Sequence, residues 1–144
     1  MKVRQILGSK KQNFLWHLSP DHTVLEALQI MAEKNIGALL ILDNNQLTGI
    51  FSERDYARKG ILQGRASKDT LIREVMTSPV ITVDVEQKVE ECMQIMSDKH
   101  IRHLPVTEND ELMGIISIND IVTAIIGEQK NRIQSLESYI SGGY

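Results

Sequence analysis

The stretch Val24 to Asp55, VLEALQIMAEKNIGALLILDNNQLTGIFSERD, is written a second time as Val89 to Asp120, VEECMQIMSDKHIRHLPVTENDELMGIISIND. The two align at a constant offset of 65 residues without a gap, and fourteen of the thirty-two positions are identical, among them Gly49/Gly114, Ser52/Ser117 and Asp55/Asp120. A period this long, present twice, signals one supersecondary unit used in duplicate, each copy completing the other's core, and not a solenoid. Function is therefore expected at the seam between the copies.

Within each copy the hydrophobic period changes in the same order. Val24, Leu28 and Met31 recur at i, i+4 and i+7, with Ala27 and Ile30 widening the apolar face, and Val89, Met93 and Met96 repeat the pattern, so each copy opens with a helix. Two short apolar runs follow, 38–42 and 47–51, parted by the polar turn Asp43-Asn44-Asn45-Gln46; the second copy has 104–107 and 112–116 around Glu108-Asn109-Asp110-Glu111. These are hairpins. Each runs into Ser-x-x-Asp, whose serine reads as the N-cap of a second helix.

The repetition extends upstream with one slip. Val3 to Leu7 resembles Ile72 to Met76 at an offset of 69, so a lead-in precedes each copy, and the connection after it is four residues longer in copy one. Pro79 to Val83 reads as a short strand, and Phe14 to Leu18 takes the same place in copy one. Residues 60–69, polar and glycine-bearing, read as the linker. Beyond Gly127, residues 128–140 form a last helix with Ile133, Leu136 and Ile140 on one stripe. The expected organisation is copy one with its lead-in over 1–64, copy two over 65–127, and a C-terminal helix and tail over 128–144.

With 144 residues, 42% hydrophobic and 24% charged, the chain buries one sizeable core, and each half alone is near the size where folds become marginal. A net charge of −3 without a basic stripe argues against nucleic acid as the main partner. The single cysteine, Cys92, falls on an apolar helical face and reads as a small core residue in a reducing compartment. The N-terminus lacks the apolar stretch of a signal peptide and no run reaches the length of a membrane span, which predicts a soluble cytoplasmic protein without a membrane partner.

Three phrases together resemble a known family. Gly-Ile-Phe-Ser52-Glu-Arg-Asp55 and Gly-Ile-Ile-Ser117-Ile-Asn-Asp120, each behind a helix and a hairpin, are similar to the glycine-hydrophobe-x-Ser/Thr-x-x-Asp signature of CBS domains. Val-Met-Thr-Ser-Pro-Val-Ile-Thr-Val (75 to 83) and Ile-Arg-His-Leu-Pro-Val (101 to 106) resemble two further hallmarks. The resemblance spans Val3 to Gly127 and includes the Ser-Gly-Gly-Tyr ending of small bacterial CBS pairs. It implies an α+β fold of two β-α-β-β-α units about a pseudo-twofold axis, with two clefts at the seam that bind adenosine derivatives: AMP, ADP, ATP or NAD(H).

On that resemblance Asp55 and Asp120 accept hydrogen bonds from ribose hydroxyls, and a charged acceptor makes each worth about 1.5–3 kcal/mol. Ser52 and Ser117 stand at helix starts, where free N–H groups and the helix dipole favour phosphate. Ile81, Thr82 and Ile116 are the candidates for the purine, with Pro105 on the neighbouring strand. Arg102 and His103 align with Gly37 and Ala38, so only copy two brings this guanidinium and imidazole, and in nucleotide-binding members similar positions hold phosphate. Arg54 aligns with Asn119, which puts one cation on copy one's own motif and makes the clefts unequal.

Taken alone, Ser-x-x-Asp is also a plain capping motif. His100 and His103 at i, i+3 lack the accompanying ligands of a metal site, so no metal is expected. No nucleophile or acid–base pair stands apart from the ligand motif, and neither a Walker nor a Rossmann glycine string occurs, so the chain is read as no enzyme. The readings that remain are a sensor that signals to its homodimer or to an unknown regulated protein, and a structural module with empty clefts that recruits a partner through its C-terminal helix.

Overall fold

The computed structural model describes residues 1–10 and 15–140. Phe14 of the expected first strand and the Ser-Gly-Gly-Tyr ending lie outside the described residues. The chain forms two compact units, Phe14–Thr82 and, from two pieces, Met1–Asn13 with Val83–Tyr144. The segments expected over 1–64 and 65–127 thus exchange their lead-ins: residues 1–10 pack with copy two, and residues 70–77 pack with copy one.

In the unit Phe14–Thr82, β1 (His17–Leu18) pairs parallel with β2 (Ala38–Asp43), which pairs antiparallel with β3 (Gln46–Ser52). The helix α2 (Val24–Lys34) joins β1 to β2, capped by Thr23, whose hydroxyl accepts from Glu26 N–H at 3.2 Å. It ends at Asn35 in the left-handed region (φ 54°), where asparagine's short polar side chain is tolerated. The β2–β3 loop is two residues, Asn44 and Asn45, both at positive φ, the requirement of a tight hairpin turn that follows the strand twist. After β3 comes α3 (Glu53–Asp55), continued by a wide π turn over Tyr56–Gly60 and a tight turn over Ile61–Gln63.

The other unit repeats the plan after the lead-in helix α1 (Val3–Ser9), with β4 (Val83–Asp84), α4 (Val89–Lys99), β5 (His103–Glu108), β6 (Glu111–Ser117) and α5 (Ile118–Ile140), in sheet order β4-β5-β6. Asn109 and Asp110 make the same turn as Asn44 and Asn45, and His100 takes Asn35's left-handed cap position (φ 56°).

Several expectations shift. The strand predicted from Pro79 shrinks to Val83–Asp84, because only Val83 and Asp84 reach partners on β5, Val106 and Thr107, and Pro79 has no N–H to give a ladder. Residues 60–69 are no free linker: Gly60 is buried, helical turns run on to Gln63, and Ser67 O accepts from Leu25 N–H at 3.0 Å. The last helix does not start beyond Gly127 but at Ile118, since one glycine among good helix formers costs only about 1 kcal/mol. On α4 Val89, Cys92 and Met96 are buried as expected, while Met93 is 36% exposed and leaves the inward face to Cys92.

The lead-ins are held by matching backbone bonds. Val24 N–H donates to Thr70 O and Val89 N–H to Met1 O, both at 2.9 Å; Ile72 N–H donates to His22 O and Val3 N–H to Gln87 O, also at 2.9 Å. The buried Ile72 and Val75 complete the core of Val24, Ala27, Met31, Leu39, Ile41 and Phe51. Val3, Ile6 and Leu7 do the same for Val89, Cys92, Met96, Leu104, Val106, Ile116 and Ile121. The lead-in also explains the glycine of the motif: a Cβ on Gly49 would lie 2.5 Å from Met76 Sδ and 3.3 Å from Thr77 O.

Ile6→Ala removes a side chain 2% exposed and should cost about 2–5 kcal/mol in urea unfolding. A loss below about 0.5 kcal/mol, normal for a surface tail, would contradict the docked lead-in.

Candidate functional site

Each Ser-x-x-Asp forms where a β-hairpin hands over to a helix. In copy two, Ser117 is the last residue of β6 and faces His103, the first of β5. Ser117 N–H donates to Asp120 Oδ2 at 2.8 Å and Asp120 N–H donates to Ser117 Oγ at 3.1 Å, a reciprocal cap. Ile118 N–H donates to Arg102 O at 2.9 Å, tying the first turn of α5 to the strand that carries the cations. Copy one has the same frame: Ser52 N–H and Oγ–H donate to Asp55 Oδ2 at 2.9 and 3.0 Å, Asp55 N–H donates to Ser52 Oγ at 3.2 Å, and Glu53 N–H donates to Gly37 O at 3.1 Å.

Beyond this frame the copies diverge. Asp55 is 8% exposed, and its second oxygen, Oδ1, accepts from Thr77 Oγ–H at 2.9 Å and pairs with Lys59 Nζ at 3.4 Å. Both of its oxygens are engaged. Asp120 is more open, and Lys10 Nζ lies 3.0 Å from its Oδ2 while also donating to Ile115 O at 2.8 Å. Lys10 and Thr77 come from the two lead-ins and bind the same aspartate position, one by charge and the other by a hydroxyl.

Lys10, Arg102, His103 and Asp120 form one electrostatic group. Burial holds the His103 imidazole below its ordinary pKa; Asp120 opposes this, and Lys10 and Arg102 reinforce it. His103 is therefore largely neutral near pH 7, half-buried, with exposed Arg102 beside it. The exposed Asn119 sits on the first turn of α5 between Ser117 and Asp120.

The other sequence candidates fall elsewhere. Pro105 is buried in β5 opposite Ile115. Ile116 is fully buried in the core, so its side chain cannot stack on a purine and only its backbone is left for recognition. Ile81 and Thr82 are exposed at the end of the other unit, on irregular backbone. Arg54 is exposed on α3, next to Asp55. His100 acts as a helix cap, and among the described residues no group of three His, Cys, Asp or Glu side chains is placed to hold a metal. Burial pushes the Cys92 thiol up to about 11, as suits a core residue.

Sequence reasoning missed Lys10, Lys59 and Thr77. Lys59 was visible at i+4 from Asp55. The lead-in residues become visible only once the offset of 69 is combined with the exchange of lead-ins, which places Lys10 on Asp120 and not on Asp55.

A hairpin–helix unit used twice, each time with a Ser-x-x-Asp cap beside a lysine, defines a paired module. The family model of the CBS domain matches residues 13–60 and 72–127, and the chain belongs to the CBS-domain family as a domain pair. It is 42% identical over 99% of its length, and 73% of the relative's, to the mitochondrial CBS domain-containing protein CBSX3 of Arabidopsis thaliana. It is similar to a solved putative signal-transduction protein with CBS domains from Burkholderia ambifaria (43% identity, TM-score 0.87, covering 90% of this chain and 96% of that one). It also resembles the CBS domain pair of protein MJ0100, solved with 5′-methylthioadenosine and S-adenosyl-L-methionine (29% identity, TM-score 0.75, covering 89% and 98%). None of these names a catalytic family. No helix among the described residues is long and apolar enough to cross a membrane.

Two outcomes follow for the free protein. Asp55→Ala removes the acceptor of Thr77 and the charge partner of Lys59 and should cost about 1–3 kcal/mol, more than Asp120→Ala, in urea titrations; equal losses would show that Asp55 is no better anchored than Asp120. For His103 the folded pKa lies below the unfolded value near 6.5, so the unfolded chain takes up the proton first. Its contribution is present above about pH 6.5 and fades as pH falls toward the folded pKa. Wild type should therefore lose more stability than His103→Gln between about pH 7.5 and 5.5; parallel losses would remove His103 from the acid sensitivity.

Proposed function

We propose that this CBS pair is a non-catalytic sensor that binds an adenosine nucleotide (AMP, ADP, ATP or NAD(H)) and passes its occupancy on to a homodimer or a regulated partner protein. The observation that carries this reading is the gathering of Lys10, Arg102 and His103 around Ser117 and Asp120, at the start of a 23-residue helix. A ribose presents two hydroxyls to Asp120. The phosphate lies at the start of α5 by Ser117, with Arg102 and Lys10 supplying charge and the neutral His103 imidazole a hydrogen bond. Ser52, Arg54 and Asp55 form a second, weaker site, because Asp55 must give up Thr77 and Lys59 before it can serve a ligand.

This arrangement contains a means of sensing. Lys10 is bound to Asp120 in the free protein, so a ribose that takes the carboxylate releases the lysine, which turns to the phosphate. The ligand then favours one arrangement of the lead-in over another, as any shift of population requires. The lone buried thiol of Cys92 fits work in the reducing cytoplasm.

A second reading has its own observation. Ile133, Leu136 and Ile140 are 55%, 58% and 82% exposed on α5, as in a module that recruits a partner and binds no ligand. Nucleotide titration separates the two. AMP at about a hundred times its dissociation constant should add roughly 2.7 kcal/mol of stability per site. By calorimetry Asp120→Ala should weaken AMP about ten- to a hundredfold, Asp55→Ala less, and Arg102→Ala should weaken AMP more than adenosine. No thermal shift with any adenosine compound at millimolar concentration would leave the interaction module standing.

A further inference from the structure

The exposed apolar residues of α5 are more numerous and more ordered than the C-terminal stripe suggests. Val122, Ile126, Ile133, Leu136 and Ile140 are all between 44% and 82% exposed. With Gln129 they are spaced 4, 3, 4, 3, 4 along the helix, the alternation of a coiled-coil seam. The stripe is turned roughly a quarter turn from the face that Ile121, Ala124 and Ile125 bury in their own unit, so the two faces do not compete.

We infer that this seam pairs with the same seam of a second copy of the chain as a parallel, in-register, two-stranded coiled coil. The inference rests on the homodimer proposed above and deepens it, by naming the surface and its geometry. In heptad terms, Ile126, Ile133 and Ile140 take the a positions, while Val122, Gln129 and Leu136 take d. Isoleucine fills all three a positions and leucine one of the three d positions, Leu136, and that combination favours two parallel strands. The charges flanking the seam agree. Arg132 occupies g and Glu137 the e position five residues on, the two places that face each other across a parallel pair, so each dimer makes this ion pair twice. In the free helix Arg132 reaches Glu128 at 3.6 Å, an exposed contact that it can leave without loss of a buried partner. Gln129 in mid-seam meets its own copy only when the helices are in register, and an amide pair there selects that register at some cost in stability.

The seam is short, under three heptads, and an isolated peptide of this length would be a marginal helix. Here the first turns of α5 are already built into the unit through fully buried Ile121, so the helix extends from a formed nucleus.

The test uses the full chain. Sedimentation equilibrium should find a dimer. Glu137→Arg should raise its dissociation constant by roughly tenfold, because two attractions become two repulsions, and Arg132→Glu combined with Glu137→Arg should restore it. Ile140→Cys should give a covalent dimer under mild oxidation, since parallel helices bring the two introduced thiols together, whereas antiparallel ones would set them about 27 Å apart. The native Cys92 is buried and does not compete. A wild-type dimer that ignores the charge swap and gives no cross-link at position 140 overturns the coiled coil and leaves the dimer intact. A monomer at tens of micromolar overturns both, and the nucleotide titration is unaffected by either result.

Discussion

Two backbone hydrogen bonds in each repeat hold it to a segment that the sequence places elsewhere. Val89 N–H to Met1 O and Val3 N–H to Gln87 O lace the N-terminus onto copy two, and Val24 N–H to Thr70 O and Ile72 N–H to His22 O lace the inter-repeat segment onto copy one. Val24 and Val89 are the first residues of α2 and α4, and Val3 and Ile72 the first of the lead-in turns, so these bonds satisfy donors that would otherwise lack partners inside a helix. They also set Val3 and Ile6, or Ile72 and Val75, into cores that the hairpin and first helix leave open. Without the exchange, each sheet keeps its first helix, Val24, Ala27 and Met31 or Val89, Cys92 and Met96, but the rest of its core is left uncovered.

The same constraint makes the two aspartates chemically different. Each lead-in, once docked, runs past the end of the hairpin and reaches the capping aspartate, and what it offers depends on a few residues of sequence. Thr77 brings a hydroxyl, and with Lys59 it completes the shell of Asp55. Lys10 brings an ammonium that leaves Asp120 more open and adds a positive charge next to Arg102 and His103. A carboxylate with both oxygens engaged is a structural node, whereas one that holds its cap and a lysine through a single oxygen can trade the lysine for another partner. The difference between the repeats is thus a difference in what the exchanged segments carry, imposed on identical Ser-x-x-Asp frames.

Helix α5 shows how one element serves two ends. Its first turn is fixed by Ser117, Asp120 and Arg102 O, and its second by Ile121 in the core. From there it extends past the sheet with an apolar seam on its outer side. Because the cap that opens the helix is also the candidate ligand site, a change at Asp120 is mechanically continuous with the surface at the other end of the same rigid element. That continuity comes from hydrogen-bonded helix through Gly127, a position at which the sequence invites a break.

Much of this was legible in one dimension. The offset of 65 and the period switches located both first helices, both hairpins with their turns and both caps, because these depend on contacts within one short stretch of chain, the widest hairpin pairs being Ala38 with Ser52 and His103 with Ser117. Copy two's cations were likewise visible as Arg102 and His103 facing Gly37 and Ala38 in the alignment. Long-range placement was not. That the lead-ins exchange, that Ile116 faces the core, that residues 60–69 belong to a packed unit, and that Lys10 meets Asp120 all depend on which of two nearly equivalent surfaces a segment covers. Local periodicity is the same for either choice. Only complementary burial and the pairing of backbone donors, summed over each whole unit, distinguish them.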